Sequence, residues 1–593
     1  MTFPSNTPRL LLAATCLSVV SMTASSQADT LEMDVTFVGS RQMEVRDAVK
    51  LNSWPAARKL SSEKPELNYE LLSKRLQFVP TMTPVEATRL RVDPSLSRLY
   101  RGYVRGAVGT RGTTMLDASY TDLRSRDGSW GTALHHAATN SPSALLTGRL
   151  NDNSLDAWAS RFIGKEKVSV QAHAGRNQIL LYGFDSLGVD TGFTPVEAPA
   201  VVWSRAQVQA NFKSHHKDST AFNHSADVSV GWLGNDRDVQ ERSVKIDAVG
   251  TKFFGSLRGQ FEMNVQMDQY GLDTAATSNQ ALVAFEPSVS TRRGALSARA
   301  GLGVAIDADQ PTRDGLGEAF HLYPRAEVSV NLLRNLFVPY ASIGGELQAN
   351  NFHSLTQDNP FYAPTTLTTT SIINNQPVDF QGFRSTNKRL ALEGGIRGTV
   401  TSVFRFHGYF STAQYEDLVL FRPSFDADTT SFSAFQAVYD TVGIRTLGGE
   451  AAFDLGTAWS FAGGLQLHRY TLPTEDRAWN LPNTTWNASA TYRLIEGLSI
   501  TAKAQYIGAR ALYSEVQPTG GEFEDLGPLN GADAAYAIQL PGALDLNVTG
   551  NYAYNERLGG WLTFANITNA KYATWGGFPV QGFQVLGGVH YAF

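Results

Sequence analysis

Two adjacent histidine pairs, His135-His136 and His215-His216, are the side chains best suited by type to hold a metal ion. Their spacing argues against it. Neighbouring side chains of a strand point to opposite faces, so a contiguous pair cannot close on one ion. His215-His216 also stands beside Lys213 and Lys217, the makeup of a solvated basic turn. Gly301-Leu302-Gly303 lacks the third glycine and the following helix of a nucleotide-binding fingerprint, and reads as close packing within a strand. Glu522, Glu524 and Asp525, next to Gly520 and Gly521, offer carboxylates to calcium without the regular oxygen spacing of a calcium loop. A Ser–His or Asp–His set would be indistinguishable from the polarity of a watery interior. Neither an enzyme nor a cofactor is therefore expected. The segment from Phe352 to Lys388 holds Asn-Pro-Phe-Tyr (359–362), a threonine-rich run (365–370), Phe380 and Phe383. Such residues grip a ligand or partner, fold inward as a constriction, or make up a solvated loop.

The elements that carry these residues are strands. From Gln581 to the end, Phe583, Val585, Gly587, Val589, Tyr591 and Phe593 share one face, and Gln584, Gly588 and His590 share the other. A strand with lipid on one side and a watery lumen on the other has this pattern. Closing on Tyr591-Ala592-Phe593 resembles the carboxy-terminal signature by which bacterial outer-membrane barrels are assembled. On that reading Phe583, Val585, Val589, Tyr591 and Phe593 are the assembly signal.

The same alternation recurs upstream. Leu544, Leu546, Val548, Gly550, Tyr552 and Tyr554 oppose Asp545, Asn547, Thr549 and Asn551. Leu498, Ile500, Ala502 and Tyr506 oppose Thr501, Lys503 and Gln505, and Trp459, Phe461, Leu465 and Leu467 oppose Ser460, Gln466 and His468. Phe261, Met263, Val265 and Met267 oppose Glu262, Asn264, Gln266 and Asp268. Aromatic residues gather at the ends of these faces, where a headgroup belt would place them. A soluble sandwich rarely sustains so polar and charged a second face over several hundred residues.

The amino terminus agrees with export. Arg9 is the only charge before Asp29, Leu10 to Met22 form an apolar core, and Ala24-Ser25-Ser26-Gln27-Ala28 offers a cleavage site after Ala28. A lipoprotein reading at Cys16 would cut that apolar core in half. Cys16 is the only cysteine, so the processed chain has no thiol for a disulfide framework or a thiolate metal site. No later stretch approaches the ~20 apolar residues of a membrane helix. The mean hydropathy of −0.20 is compatible with lipid-exposed strands, because half of each strand faces water. With a net charge of −5 over 593 residues, nucleic acid is not the expected partner.

The connections test the barrel independently. Those near 571–580, 514–541, 472–485, 424–441, 351–386, 306–317 and 184–198 are long and rich in Pro, Asn, Asp, Gly and Thr. Those near 555–560, 494–497, 454–458, 332–335 and 290–294 are tight. Long outer loops alternating with tight periplasmic turns characterise transmembrane barrels, and the spacing predicts about 22 antiparallel strands. The expected organisation is a signal peptide over 1–28, a periplasmic arm or plug remnant over 29–97, and an all-β transmembrane barrel over 98–593.

Asn566-Ile567-Thr568-Asn569-Ala570-Lys571-Tyr572, then Gly577-Phe578-Pro579-Val580-Gln581-Gly582, resembles the last outer loop of TonB-dependent outer-membrane receptors. There an Asn-Leu-Phe-(Asn/Asp)-x-x-Tyr motif precedes Gly-(Tyr/Phe)-Pro-x-x-Gly. Asn566, Asn569, Tyr572, Gly577, Pro579 and Gly582 match, with Ile and Thr substituted inside the first motif. Asp34, Val35, Thr36, Phe37 and Val38 resemble the segment by which such receptors couple to a periplasmic motor, and fit an ordinary apolar strand equally well. The stretch between Arg41 and the first strand is under half the length of the family's plug, so the resemblance implies a truncated plug and puts energy-driven uptake in doubt.

Two functions fit. One is solute transport, with Lys503, Gln505, Asp545, Asn547, Glu262 and Asp268 lining the lumen. The other is a structural platform partnered with surface lipoproteins or an assembly complex. The implied partners are outer-membrane lipids, the outer-membrane assembly machinery, and either a TonB-like periplasmic protein or a lipoprotein lid.

Overall fold

A strand that is apolar on one face can cross a bilayer only if its backbone groups are paired on both edges, which requires a closed ring. The computed structural model has such a ring. It describes residues 99–593 apart from 124, 126, 143–145, 184–195, 217, 219, 273–275, 309–319, 363–370, 374–375, 379–382, 402, 426–431, 515–523 and 530–534. The expected signal peptide, the 29–97 arm and Asp34 to Val38 lie outside the described residues.

Twenty-two strands, from Gly102–Gly109 to Gln584–Ala592, pair in chain order, and the last pairs with the first. All 22 ladders are antiparallel. At the seam Tyr103 lies opposite Ala592 and Gly109 opposite Leu586. Gly102 and Phe593 exchange backbone hydrogen bonds of 2.9 Å in both directions. A side chain on Gly102 would collide with the Phe593 ring, at 2.2 Å from Cζ. Glycine there lets the ring of the final residue lie flat across the joint.

The alternating faces separate as the pleat demands. Phe583, Val589, Tyr591 and Phe593 point outward and are exposed, whereas Leu586 and Gln584 point inward and are buried. Along the edge with the tight turns runs an aromatic belt: Trp459 stacks on Tyr492 at 4.1 Å, Phe404 on Phe406, Phe222 on Phe261, and Tyr591 on Phe593. Among the described residues no helix is long and apolar enough to cross a membrane. The crossing is made by strands.

At the belt edge the connections are tight, as at 164–165, 255–256, 294–295 and 496–497, while the opposite rim carries 181–199, 349–385, 508–542 and 566–583. Two expectations need correction. Residues 432–441 belong to the 24-residue strand Phe432–Leu455, so the connection before it is far shorter than expected. The length rule also fails at 110–113, 236–238 and 273–275, outer connections as short as the inner turns. Phe432–Leu455 and its 22-residue neighbour Phe404–Phe425 rise well beyond the bilayer, each strand residue adding about 3.3 Å.

Candidate functional site

Lys503 lies directly opposite Asn547, and Gln505 opposite Asp545, on neighbouring strands of the lumen wall. Asn547 donates to Asp545 at 3.0 Å. Glu262 and Asp268 lie ten strands away round the ring, so the expected lining residues form two opposite walls rather than one cluster. The Glu262 wall is the more highly charged. Arg299 bridges Glu262 (2.8 Å) and Glu286 (3.6 Å), and Arg325 reaches Glu286 at 2.8 Å. A second polar run has Asp117 with His135 (2.5 Å), Asp156 with His173 (2.7 Å) and Arg205 donating to His173 Nε2 (2.6 Å).

The first histidine pair diverges as its spacing requires. His135 meets Asp117 while His136 turns to Asn153, and His215 sits edge-on to Phe162. Among the described residues no three His, Cys, Asp or Glu side chains are grouped to hold a metal ion. Gly301 packs so tightly that a Cβ would lie 2.6 Å from the Pro287 carbonyl oxygen, which accounts for Gly301-Leu302-Gly303 without a nucleotide. Strand Glu524–Pro528 takes up Glu524 and Asp525, and Glu522 lies outside the described residues.

At the outer rim, residues of different connections meet in apolar packing. Tyr182 from the 181–199 connection, Phe361 from 349–385 and Phe578 from 566–583 meet in one cluster. The Phe361 and Phe578 rings stack at 3.7 Å, with Tyr182 edge-on to Phe578 at 5.2 Å and to Phe361 at 5.8 Å. Tyr182 Oη donates to the Pro579 carbonyl at 3.2 Å. Phe435, Trp575, Leu512 and Ile538 extend the cluster, and all four are essentially buried. These three connections leave the ring eight, eight and six strands apart, so their meeting spans the opening.

Each connection is braced locally. A short helix, Phe352–Asp358, begins at Asn351, whose side chain accepts from Ser354 N at 2.7 Å while Ser354 Oγ accepts from Asn351 N at 2.9 Å. It presses Phe352 and Leu355 into the cluster, with Phe352 edge-on to Phe383 at 4.7 Å. The 352–388 segment therefore folds inward at Phe352, Phe361, Tyr362 and Phe383; Phe380 and the threonine run lie outside the described residues. Beside it, Arg422 pairs with Glu475 and lies over Tyr513 at 4.6 Å. Trp479 Nε1 donates to the same carboxylate at 2.6 Å.

The motif residues near the end build the last of these connections. Asn566 has φ +46°, a left-handed conformation that asparagine tolerates. Its Nδ2 donates to the carbonyls of Ala570 (3.0 Å) and Gln581 (3.1 Å), and its Oδ1 accepts from Ala570 N (2.9 Å). Asn569, also left-handed, accepts from Phe583 N at 2.9 Å, and any side chain on Gly582 would meet its Oδ1 at 2.5 Å. Tyr572 donates to Asp545 at 3.0 Å; burial, then the Asp545 charge, raises its phenol well above the usual range. Gly577 turns with φ +82°, aiming Trp575 and Phe578 inward. Arg510 donates both terminal nitrogens to the carbonyls of Ala573 and Thr574, and burial pushes its guanidinium down to about 10. Sequence reasoning singled out the motif but not Tyr182, Arg510, Trp575 or Ile538, whose partners lie far away in the chain.

Solved structures share this architecture. The FrpB iron transporter from Neisseria meningitidis superposes with a TM-score of 0.60 at 11% identity over 84% of this chain and 83% of its own. The chain has the fold of the TonB-dependent outer-membrane receptors. Two more proteins with this receptor fold agree. The siderophore receptor PirA from Acinetobacter baumannii gives 0.60 at 9% identity, covering 84% and 81%. The ferripyoverdine receptor of the Pseudomonas aeruginosa outer membrane gives 0.59 at 11%, covering 84% and 72%. No protein-family model and no curated protein sequence matches the chain. Fold and exposed apolar face together make this receptor-like chain an integral outer-membrane barrel.

Proposed function

We propose that this receptor-fold barrel passes solutes across the outer membrane through its polar lumen, and that its outer loops act as the gate. The observation that carries this reading is the aromatic junction of Tyr182, Phe361 and Phe578, where outer connections from three parts of the ring meet in one buried cluster. A ring of 22 strands is wide enough to need occlusion. The wall offers charges of both signs, such as Arg299, Glu286 and Arg325, suited to polar cargo. The first solutes to test are metal ions and metal chelates, because the neighbours in fold include an iron transporter and siderophore receptors. The barrel carries no catalytic step on this reading.

Single-channel recording on the purified protein tests it. The wild type should show a low basal conductance, and Phe361→Ala/Phe578→Ala a large and frequent one. A double variant that stays closed, in protein co-purifying with a surface lipoprotein, would leave the platform function standing instead. Energy coupling is tested separately by Val35→Pro and Phe37→Pro: loss of uptake with normal barrel assembly supports a motor partner, and unchanged uptake removes it.

A further inference from the structure

Arg445 and Arg469 are direct cross-strand neighbours, on strands Phe432–Leu455 and Trp459–Thr471. Both are exposed, and both share the outward face of the barrel with Leu447, Leu465 and Leu467. Among the described residues neither guanidinium has an ion pair or a side-chain hydrogen bond. The nearest acid on the adjoining strand, Glu416, is engaged by Arg389 at 3.0 Å. Like charges placed directly opposite in a sheet destabilise it. This pair therefore lacks its counter-charge within the protein.

Its height says where that charge lies. Ten residues separate Arg469 from Trp459, in the aromatic belt, along one strand and one face. At about 3.3 Å per residue and a tilt near 40°, that places the guanidiniums about 25 Å above the belt, the height of a barrel's apolar band. The leucines between them fill that band. The arginines therefore stand at the outer headgroup level. A groove of about 530 Å³ opens beside Arg445, bounded by Leu392, Thr412, Gln414, Gly443 and Thr471. Gly443 keeps its floor open, since a Cβ there would meet Thr471 Oγ1 at 2.4 Å.

We propose that Arg445 and Arg469 bind the phosphate of an anionic lipid headgroup in the outer leaflet, with its acyl chains lying over Leu447, Leu465 and Leu467. Two guanidinium forks converging on one tetrahedral anion satisfy the geometry that Arg prefers. The phosphate replaces the missing counter-charge, and the leucine strip selects a lipid over a free anion.

Native mass spectrometry of the full chain in non-ionic detergent tests this. The probes are diphosphoryl lipid A, its dephosphorylated counterpart with the same acyl chains, and inorganic phosphate. The wild type should retain the phosphorylated lipid about tenfold better than the dephosphorylated one, and Arg445→Gln/Arg469→Gln should lose that preference. Heat-modifiable gel migration reports whether the variant has folded; if it has not, Arg469→Lys serves, since it keeps the charge, loses the fork and should lower retention severalfold. Equal retention by wild type and folded variant would overturn the proposal. So would displacement of the lipid by inorganic phosphate at the same concentration, which would assign the pair to a free anion.

Discussion

Asn566 ties the last connection together from within. It supplies a left-handed turn and ties Ala570 and Gln581 together. Asn566→Ala loses those bonds and, with them, the side-chain hydrogen bonding that lets asparagine tolerate positive φ, so we expect a loss of about 2–4 kcal/mol in stability, read as a lower midpoint for heat-modifiable migration. Asn566→Gly restores the backbone freedom but not the bonds, and should fall between wild type and alanine. If both variants melt alike, the bonding and not the turn carries the effect. Tyr182→Phe removes only the bond to Pro579, and should cost about 1 kcal/mol while leaving the junction shut in conductance recordings. The match of Asn566, Asn569 and Gly582 to a receptor motif was readable from sequence; its reason, a loop tied to the wall, was not. The bonds run to carbonyls and amides whose positions depend on the closed ring.

The strands were legible because each announces its faces with period two, and burial on one side with lipid on the other enforces that period. Loops carry no such period. Asn-Pro-Phe-Tyr at 359–362 reads as a ligand grip, an inward constriction or a solvated loop, and Phe578 as part of a family motif, and nothing local says that Phe361 and Phe578 stack on one another. The long ribbon of Phe404–Phe425 and Phe432–Leu455 was likewise hidden, because above the bilayer apolar residues such as Leu418, Val419, Leu420 and Phe421 pack on both faces and break the alternation that marks a strand. Cys16 is the only cysteine of the sequence, so the junction can be locked cleanly in a Cys16→Ser background. Tyr182→Cys/Phe578→Cys should be joined by a short, reducible thiol-specific cross-linker that fills the space of the two rings, whose centroids are 5.2 Å apart, and hold conductance at its floor until reductant is added. Failure to cross-link in folded protein would separate the two connections in solution. The opposed Arg445 and Arg469 illustrate the same limit, since cross-strand partners depend on register.

For the barrel as a whole, closure decides everything. An open sheet in lipid leaves a row of unpaired backbone groups, each costing several kcal/mol. The mutual bonds of Gly102 and Phe593 complete the ring, and the Phe593 side chain needs the bare Cα of Gly102 beneath it. Gly102→Val should therefore slow or prevent assembly, read as loss of the fast-migrating band on unboiled gels. Gly106→Val is the control, because the nearest atom to a Cβ there is 4.0 Å away. If Gly102→Val assembles normally, the end of the last strand does not govern closure.

The strands that flank this seam are the shortest of the wall: Gly102–Gly109, Thr114–Thr121 and Leu558–Ala565 have eight residues and Gln584–Ala592 has nine. Inclined as barrel strands are, eight residues stand only about 20 Å tall, less than the apolar thickness the taller strands span. Hydrocarbon meeting this low side has to compress, so the bilayer dips along one sector of the circumference, a mismatch borne by the lipid rather than by the protein.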